Sequence, residues 1–134
     1  MADPIADELA IRNVIARVAQ LADTGDLDEY LTLFTEDASW EMPGVAPRQG
    51  HGDIRTGAEE RRASKLQGPG ANSRHVITTT AIWTDGDSAT GRSYWMFVTN
   101  TIEQPTVSLI GQYDDTFVRT ATGWRLARRA ITMG

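Results

Sequence analysis

The sequence predicts an α+β fold in which helices come first and a strongly curved, antiparallel sheet packs on them. Three observations carry this. Apolar residues recur at steps of three and four ahead of Gly25, runs of β-branched residues follow Ser73, and turn signals divide those runs into long strands. The 134 residues hold 13 Lys or Arg against 18 Asp or Glu, a net charge of −5, with 40% hydrophobic and 23% charged residues. That composition describes one globular domain, residues 1–134, able to bury roughly two-thirds of its unfolded surface.

The first helix runs from about Pro4 to Ala22, with Ile11, Val14, Ile15, Val18, Leu21 and Ala22 along one stripe. Thr24-Gly25-Asp26 ends it, with Gly25 free to take positive φ. A second, short helix begins at Asp26, whose side chain can accept from the first-turn N–H groups while Glu29 completes a capping-box pattern. Leu27, Tyr30, Leu31 and Phe34 share its apolar face, so the two helices form a hairpin. A strand period holds from Ala38 to Met42 and stops at Pro43-Gly44. Val45 to Gly52 is loop plus a short strand, which leaves His51 in an exposed loop. A third helix spans Asp53 to about Leu66, capped by Asp53 and ended by Gly68-Pro69-Gly70. Four strands follow, Arg74–Thr84, Ala89–Thr99, Val107–Thr120 and Gly123–Thr132, with turns at Asp85-Gly86-Asp87 and Ala121-Thr122-Gly123. Strands this long call for strong curvature.

Composition also excludes classes. The acidic balance argues against a nucleic-acid partner, since phosphate neutralisation needs a basic face. Without cysteine there is no disulfide, iron–sulfur ligation or thiol nucleophile, and two histidines, His51 and His75, argue against a His-rich metal centre. No apolar run approaches the ~18 residues that span a bilayer, and Met-Ala-Asp-Pro lacks the basic and apolar parts of a secretory leader. A cytoplasmic protein is expected.

Alternation puts Ala89, Gly91, Ser93, Trp95 and Phe97 on one face of their strand. Gly111, Tyr113, Asp115 and Phe117 share a face of the next. In the last strand Ala127, Arg129 and Ile131 stand opposite Leu126, Arg128 and Ala130. Small residues set among large aromatics suit a concave surface that receives a ligand, although core packing uses the same mixture. Trp40 and Trp95 read as wall.

Asp23 ends an apolar helix stripe, where the macrodipole disfavours a negative charge by about 0.3–1 kcal/mol. Such a breach marks either function or a solvated turn. His75 opens the first long strand. Should the two meet, the carboxylate would fix the imidazole tautomer and make the other ring nitrogen a general base. Arg129 on the concave side could hold an anion, an enolate or a leaving group, or form an ion pair. Tyr113 and Asp115 could serve the cavity or complete the core hydrogen bonds.

The segments Leu21-Ala22-Asp23-Thr24-Gly25-Asp26-Leu27-Asp28, Leu33-Phe34-Thr35-Glu36-Asp37-Ala38-Ser39-Trp40, Ser73-Arg74-His75-Val76-Ile77, Gly111-Gln112-Tyr113-Asp114-Asp115 and Gly123-Trp124-Arg125-Leu126-Ala127-Arg128-Arg129 follow in a telling order. Together they resemble the SnoaL-like branch of the nuclear transport factor 2-like superfamily. The resemblance implies a cone-shaped sheet, mixed or antiparallel, whose open end is lined by the first helix. It is closest to the scytalone and bile acid dehydratases and hexachlorocyclohexane dehydrochlorinase, in which an Asp ending the first helix pairs with a His like His75. It puts Trp40, Met42, Trp95, Phe97, Gly111, Tyr113 and Arg129 in the cavity lining, and Val18 and Ala22 where those dehydratases place tyrosines. The steroid isomerase pattern is not matched: Val18 and Met42 stand where its tyrosine and base would be, and only Asp115 falls near its second acid. Nor does Val107 to Asp115 reproduce the Asp-Arg-Asp cluster of limonene epoxide hydrolase.

The expected activity is that of a lyase or isomerase that needs no cofactor and acts on a small, mostly apolar molecule. His75 is its base, Asp23 orients the ring, and Arg129 with Tyr113 steadies developing oxygen charge. Val18, Ala22, Trp40, Met42, Ser93, Trp95, Phe97, Gly111, Asp115 and Ile131 are the expected substrate contacts. The alternatives are a cyclase or hydrolase that uses Asp115 as base, and a binding module without chemistry, like the small subunits of ring-hydroxylating dioxygenases. The resemblance further implies a homodimer or homotrimer joined through the convex face, where Tyr94, Met96 and Val98 point outward.

Overall fold

The computed structural model describes residues 3–134. The elements are α1 (Pro4–Thr24), α2 (Leu27–Leu31), β1 (Phe34–Glu41), β2 (Arg48–Gln49), α3 (Gly50–Ala63), β3 (Arg74–Asp85), β4 (Ser88–Thr99), β5 (Thr106–Thr120) and β6 (Gly123–Met133). The six strands form one sheet in the order β2-β1-β6-β5-β4-β3, not closed, packed against the helices. The sheet is mixed: β1 pairs with β6 in parallel, and every other neighbour is antiparallel. Of the two forms expected, mixed or antiparallel, the sheet takes the mixed one. The chain from β1 to β6 passes through α3 and four strands, so no hairpin dictates their direction.

Asp3 caps α1 by accepting from the Ile5 and Ala6 N–H groups at 3.1 and 3.2 Å, with Pro4 in the first turn. The expected stripe is buried along its length. Gly25, however, has φ −102°, which any residue adopts. Glycine is needed there for space, because a Cβ would lie 2.3 Å from Leu21 Cδ2 and 2.8 Å from Leu21 Cα. Asp26 caps α2 through the Asp28 N–H at 2.9 Å, whereas the Glu29 carboxylate turns outward to Arg17 at 3.2 Å and does not close the box. Phe34 leaves the helix and opens β1, packing its ring 5.1 Å from that of Tyr30. The helix face and the first strand position thus use the same buried side chain.

α3 starts three residues earlier than Asp53 and ends at Ala63. Asp53 lies inside the first turns and reaches back, accepting from the Gln49 N–H at 2.9 Å. His51 consequently sits in that helix, with Nε2 2.9 Å from the Phe34 carbonyl oxygen, and not in an exposed loop.

The last strand departs from strict alternation. Thr116 pairs with Arg128 and Phe117 with Leu126, so Ala127 is an extra residue in β6. This bulge brings Leu126 to the buried side with Arg129 and Ile131, and sends Arg128 outward to Glu41 Oε2 at 2.9 Å. Further register shifts in β3 and at Phe97/Val98 help to bend the sheet. The far end of α1 is fastened by Asp7, which accepts from Arg119 at 2.9 and 2.8 Å and from Trp124 Nε1 at 3.1 Å. Arg119 holds the Asp7 carboxyl below its ordinary range against the opposing effect of burial, and Trp124 adds to the lowering.

Candidate active site

Asp23 lies in the last turn of α1 with 2% of its surface exposed. Its Oδ1 is 2.6 Å from His75 Nδ1, and its Oδ2 accepts from the His75 backbone N–H at 2.9 Å. One carboxylate thus fixes both the main chain and the ring of a residue 52 positions away. An ionised carboxylate only accepts, so Nδ1 carries the hydrogen, and in the neutral ring the lone pair is then on Nε2. The ring packs between Phe97, at 4.8 Å between centroids, and Trp95, at 6.0 Å.

The negative pole of α1 beside Asp23 is neutralised from outside the helix. Arg62 Nη2 donates to the Leu21 and Gly25 carbonyl oxygens at 2.9 and 2.8 Å, with a longer approach to Ala22 at 3.4 Å. A guanidinium on the carbonyls of the last turn and of Gly25 offsets the negative pole that would repel Asp23. Sequence reasoning identifies the Asp23 anomaly but has no route to Arg62, which belongs to another helix.

His75 borders a cavity of about 100 Å³ between α1, α3 and the concave sheet. Val18 and Ala22 line it from α1, and Trp40 and Met42 from β1 and its exit. The inner sheet contributes Trp95, Phe97, Tyr113, Arg129 and Ile131. Three expected contacts do not line this cavity. Ser93 is buried in the sheet with Oγ 3.1 Å from Thr80 Oγ1. Gly111 lies beneath Trp95, and a Cβ there would come 2.4 Å from the indole Cζ2, so the ring covers it. Asp115 stands behind Arg129 and accepts from its Nε and Nη2, each at 2.9 Å.

That ion pair is buried on both sides. Burial opposes the Arg129 charge, but the Asp115 carboxylate outweighs it and raises the guanidinium above its usual range. Arg129 also lies 3.7 Å over the Tyr113 ring, which stacks on Trp95 at 5.2 Å. Burial raises the Tyr113 phenol, which therefore keeps its hydrogen near neutral pH. Six lining residues escape sequence reasoning: Ala19, Tyr30, Arg61, Leu66, Gln67 and Leu109. Tyr30 shows only its helical period, which points to core. Arg61 and Gln67 reach the cavity through the packing of α3 and the loop after it, for which local pattern gives no sign. Burial likewise raises the Tyr30 phenol. Among the described residues no group of three or more His, Asp or Glu side chains could hold a metal ion, and no helix is long and apolar enough to cross a membrane.

No curated protein matches the chain. Solved structures do. A nuclear transport factor 2-like protein with a cystatin-like fold from Novosphingobium aromaticivorans is 26% identical, with a TM-score of 0.85 over 96% of this chain and 82% of its own. A protein provisionally named an aromatic ring hydroxylase, from the same organism, is 27% identical, with a TM-score of 0.78 over 98% and 92%. A third, provisionally named a scytalone dehydratase and also from that organism, is 19% identical, with a TM-score of 0.81 over 98% and 86%, a likeness of fold alone. The sequence profile of the SnoaL-like domain matches residues 3–130. With that coverage and this cone-shaped sheet, the chain belongs to the SnoaL-like domain family.

Proposed function

We propose that this protein is a cofactor-independent enzyme of the lyase or isomerase type, in which His75 is the general base. The observation that carries the reading is the two-point hold of Asp23 on His75 at the edge of an aromatic cavity. His75 Nε2 takes a carbon-bound proton, beside a carbonyl or opposite a leaving group. Asp23 balances the imidazolium charge that results. Arg129 spends Nε and Nη2 on Asp115 and retains Nη1 to donate toward oxygen on which charge accumulates. Tyr113 and Tyr30, kept protonated by burial, supply hydrogen to a departing or enolic oxygen. A largely apolar lining excludes water and strengthens each of these contacts. The substrate is a small molecule with an apolar body, hydroxylated, halogenated or polyketide-like, undergoing dehydration, dehydrohalogenation or isomerisation.

The reading with Asp115 as base has weaker support, because its two oxygens are engaged by Arg129 and it does not border the cavity. Solvent-deuterium incorporation into a panel of hydroxylated and halogenated alicyclics and polyketide-like aromatics tests the choice. His75→Ala should lose about 10²–10⁴-fold of the exchange rate on whichever compound exchanges. Asp23→Asn should lose a comparable share. Full exchange in His75→Ala, with loss confined to Asp115→Asn, would transfer the role to Asp115, and absence of exchange across the panel would favour a binding module.

A further inference from the structure

Arg61 is the cavity's unspoken charge. It projects from α3 into the lining, with its guanidinium carbon 4.8 Å over the Trp40 ring. Other half-buried or buried arginines nearby are committed. Arg129 is locked to Asp115, Arg62 to the carbonyls ending α1, and Arg48 to Glu60 at 2.8 Å and Asp53 at 3.9 Å. Arg61 forms no ion pair among the described residues, and Glu60, the acid whose field reaches it, has its Oε2 on Arg48. The lining holds no Asp or Glu, and Asp23 is held behind His75. Burial pulls Arg61 below the ordinary arginine range and Arg48 adds to this, while the neighbouring Tyr30 phenol, which carries no counter-charge when protonated, works the other way; a guanidinium keeps its charge at neutral pH.

A cation laid on an indole face, in an apolar hollow and without a counter-ion, is arranged to receive one from a ligand. We infer that Arg61, backed by Trp40, binds an anionic group of the substrate, a carboxylate in particular, while the apolar body lies against Trp95 and Phe97 toward His75. The inference rests on reading the cavity as a substrate site, and it narrows the substrate class from apolar molecules to apolar acids. Arg61 would position the acid at the α3 wall and leave the carbon beyond it within reach of the base. Its role is binding and selectivity, and it takes no part in proton transfer.

The test uses benzoate and benzamide, which share a ring and differ in charge, titrated into the intact protein and followed by NMR shifts of the cavity residues. The wild-type protein should bind benzoate at least 10-fold more tightly than benzamide, with the margin shrinking as salt is raised. Arg61→Gln should erase the margin, and Arg61→Lys should keep a part of it. His75→Ala should retain it, so failure of the base assignment and failure of the anion site give different results. Equal affinity for the two compounds in the wild type, no binding of either, or a margin untouched in folded Arg61→Gln would each overturn the inference. Should Arg61→Gln not fold, the Arg61→Lys variant and the salt dependence decide: a margin insensitive to both overturns it.

Discussion

Asp23 commits both oxygens to one residue, so its replacement removes two constraints together. In Asp23→Asn one of those positions becomes a donor facing a donor, and either the backbone or the ring of His75 loses its hold. Gly111 works on the opposite side of the same ring system. It gives Trp95 room to lie flat against the sheet, with the Thr132 carbonyl oxygen already 2.8 Å from the place of a Cβ. Gly111→Ala should therefore cost about 1–3 kcal/mol in a denaturant titration, the range for overpacking a filled core. It should also push the indole into the cavity and weaken ligand binding. Single residues are where the sequence is both most and least informative. Asp23 is conspicuous because it violates a local rule. Its contact with His75 follows from the family resemblance, since nothing local can bridge 52 positions. Gly111 reads from sequence as open space, and only the position of Trp95 shows that the space is occupied.

Among the elements, α1 is the most legible because its apolar stripe from Ile11 to Ala22 holds one helical period and is buried throughout. The start of β1 is not, since Phe34 satisfies the helical period of α2 as well as the strand it opens. The parallel pairing of β1 with β6 and the bulge at Ala127 are set by distant partners and leave no mark on periodicity. The same holds for the junction between α1 and α3, on which the site depends. Arg62 holds the carbonyls of the turn that carries Asp23. Arg62→Ala should destabilise the protein by about 2 kcal/mol, the scale of hydrogen bonds from a charged donor, as read by chemical unfolding. Because the freed helix end then opposes the Asp23 charge, exchange activity should fall with stability.

At the scale of the whole molecule, the curved sheet divides its two faces between different tasks. The concave face and the helices enclose the cavity, while the convex face leaves Tyr94 50% and Ile110 54% exposed beside Met96 and Val98. We propose that the homodimer or homotrimer expected from the sequence is joined through this apolar patch. The paired change Tyr94→Glu and Ile110→Glu should convert a dimer or trimer to monomer in sedimentation velocity, with the fold retained, whereas a wild-type monomer would refute the assignment. What the fold must achieve above all is to bring one acid and one imidazole together at a hollow. The chain has two histidines, so nitrogen-15 NMR of the imidazoles, with His51→Gln to assign them, reads that arrangement directly. The neutral ring of His75 should carry its hydrogen on Nδ1, leave Nε2 unprotonated, and drift toward the other tautomer in Asp23→Asn. A His75 protonated on Nε2 in the wild-type protein, with Nδ1 bare, would contradict the account.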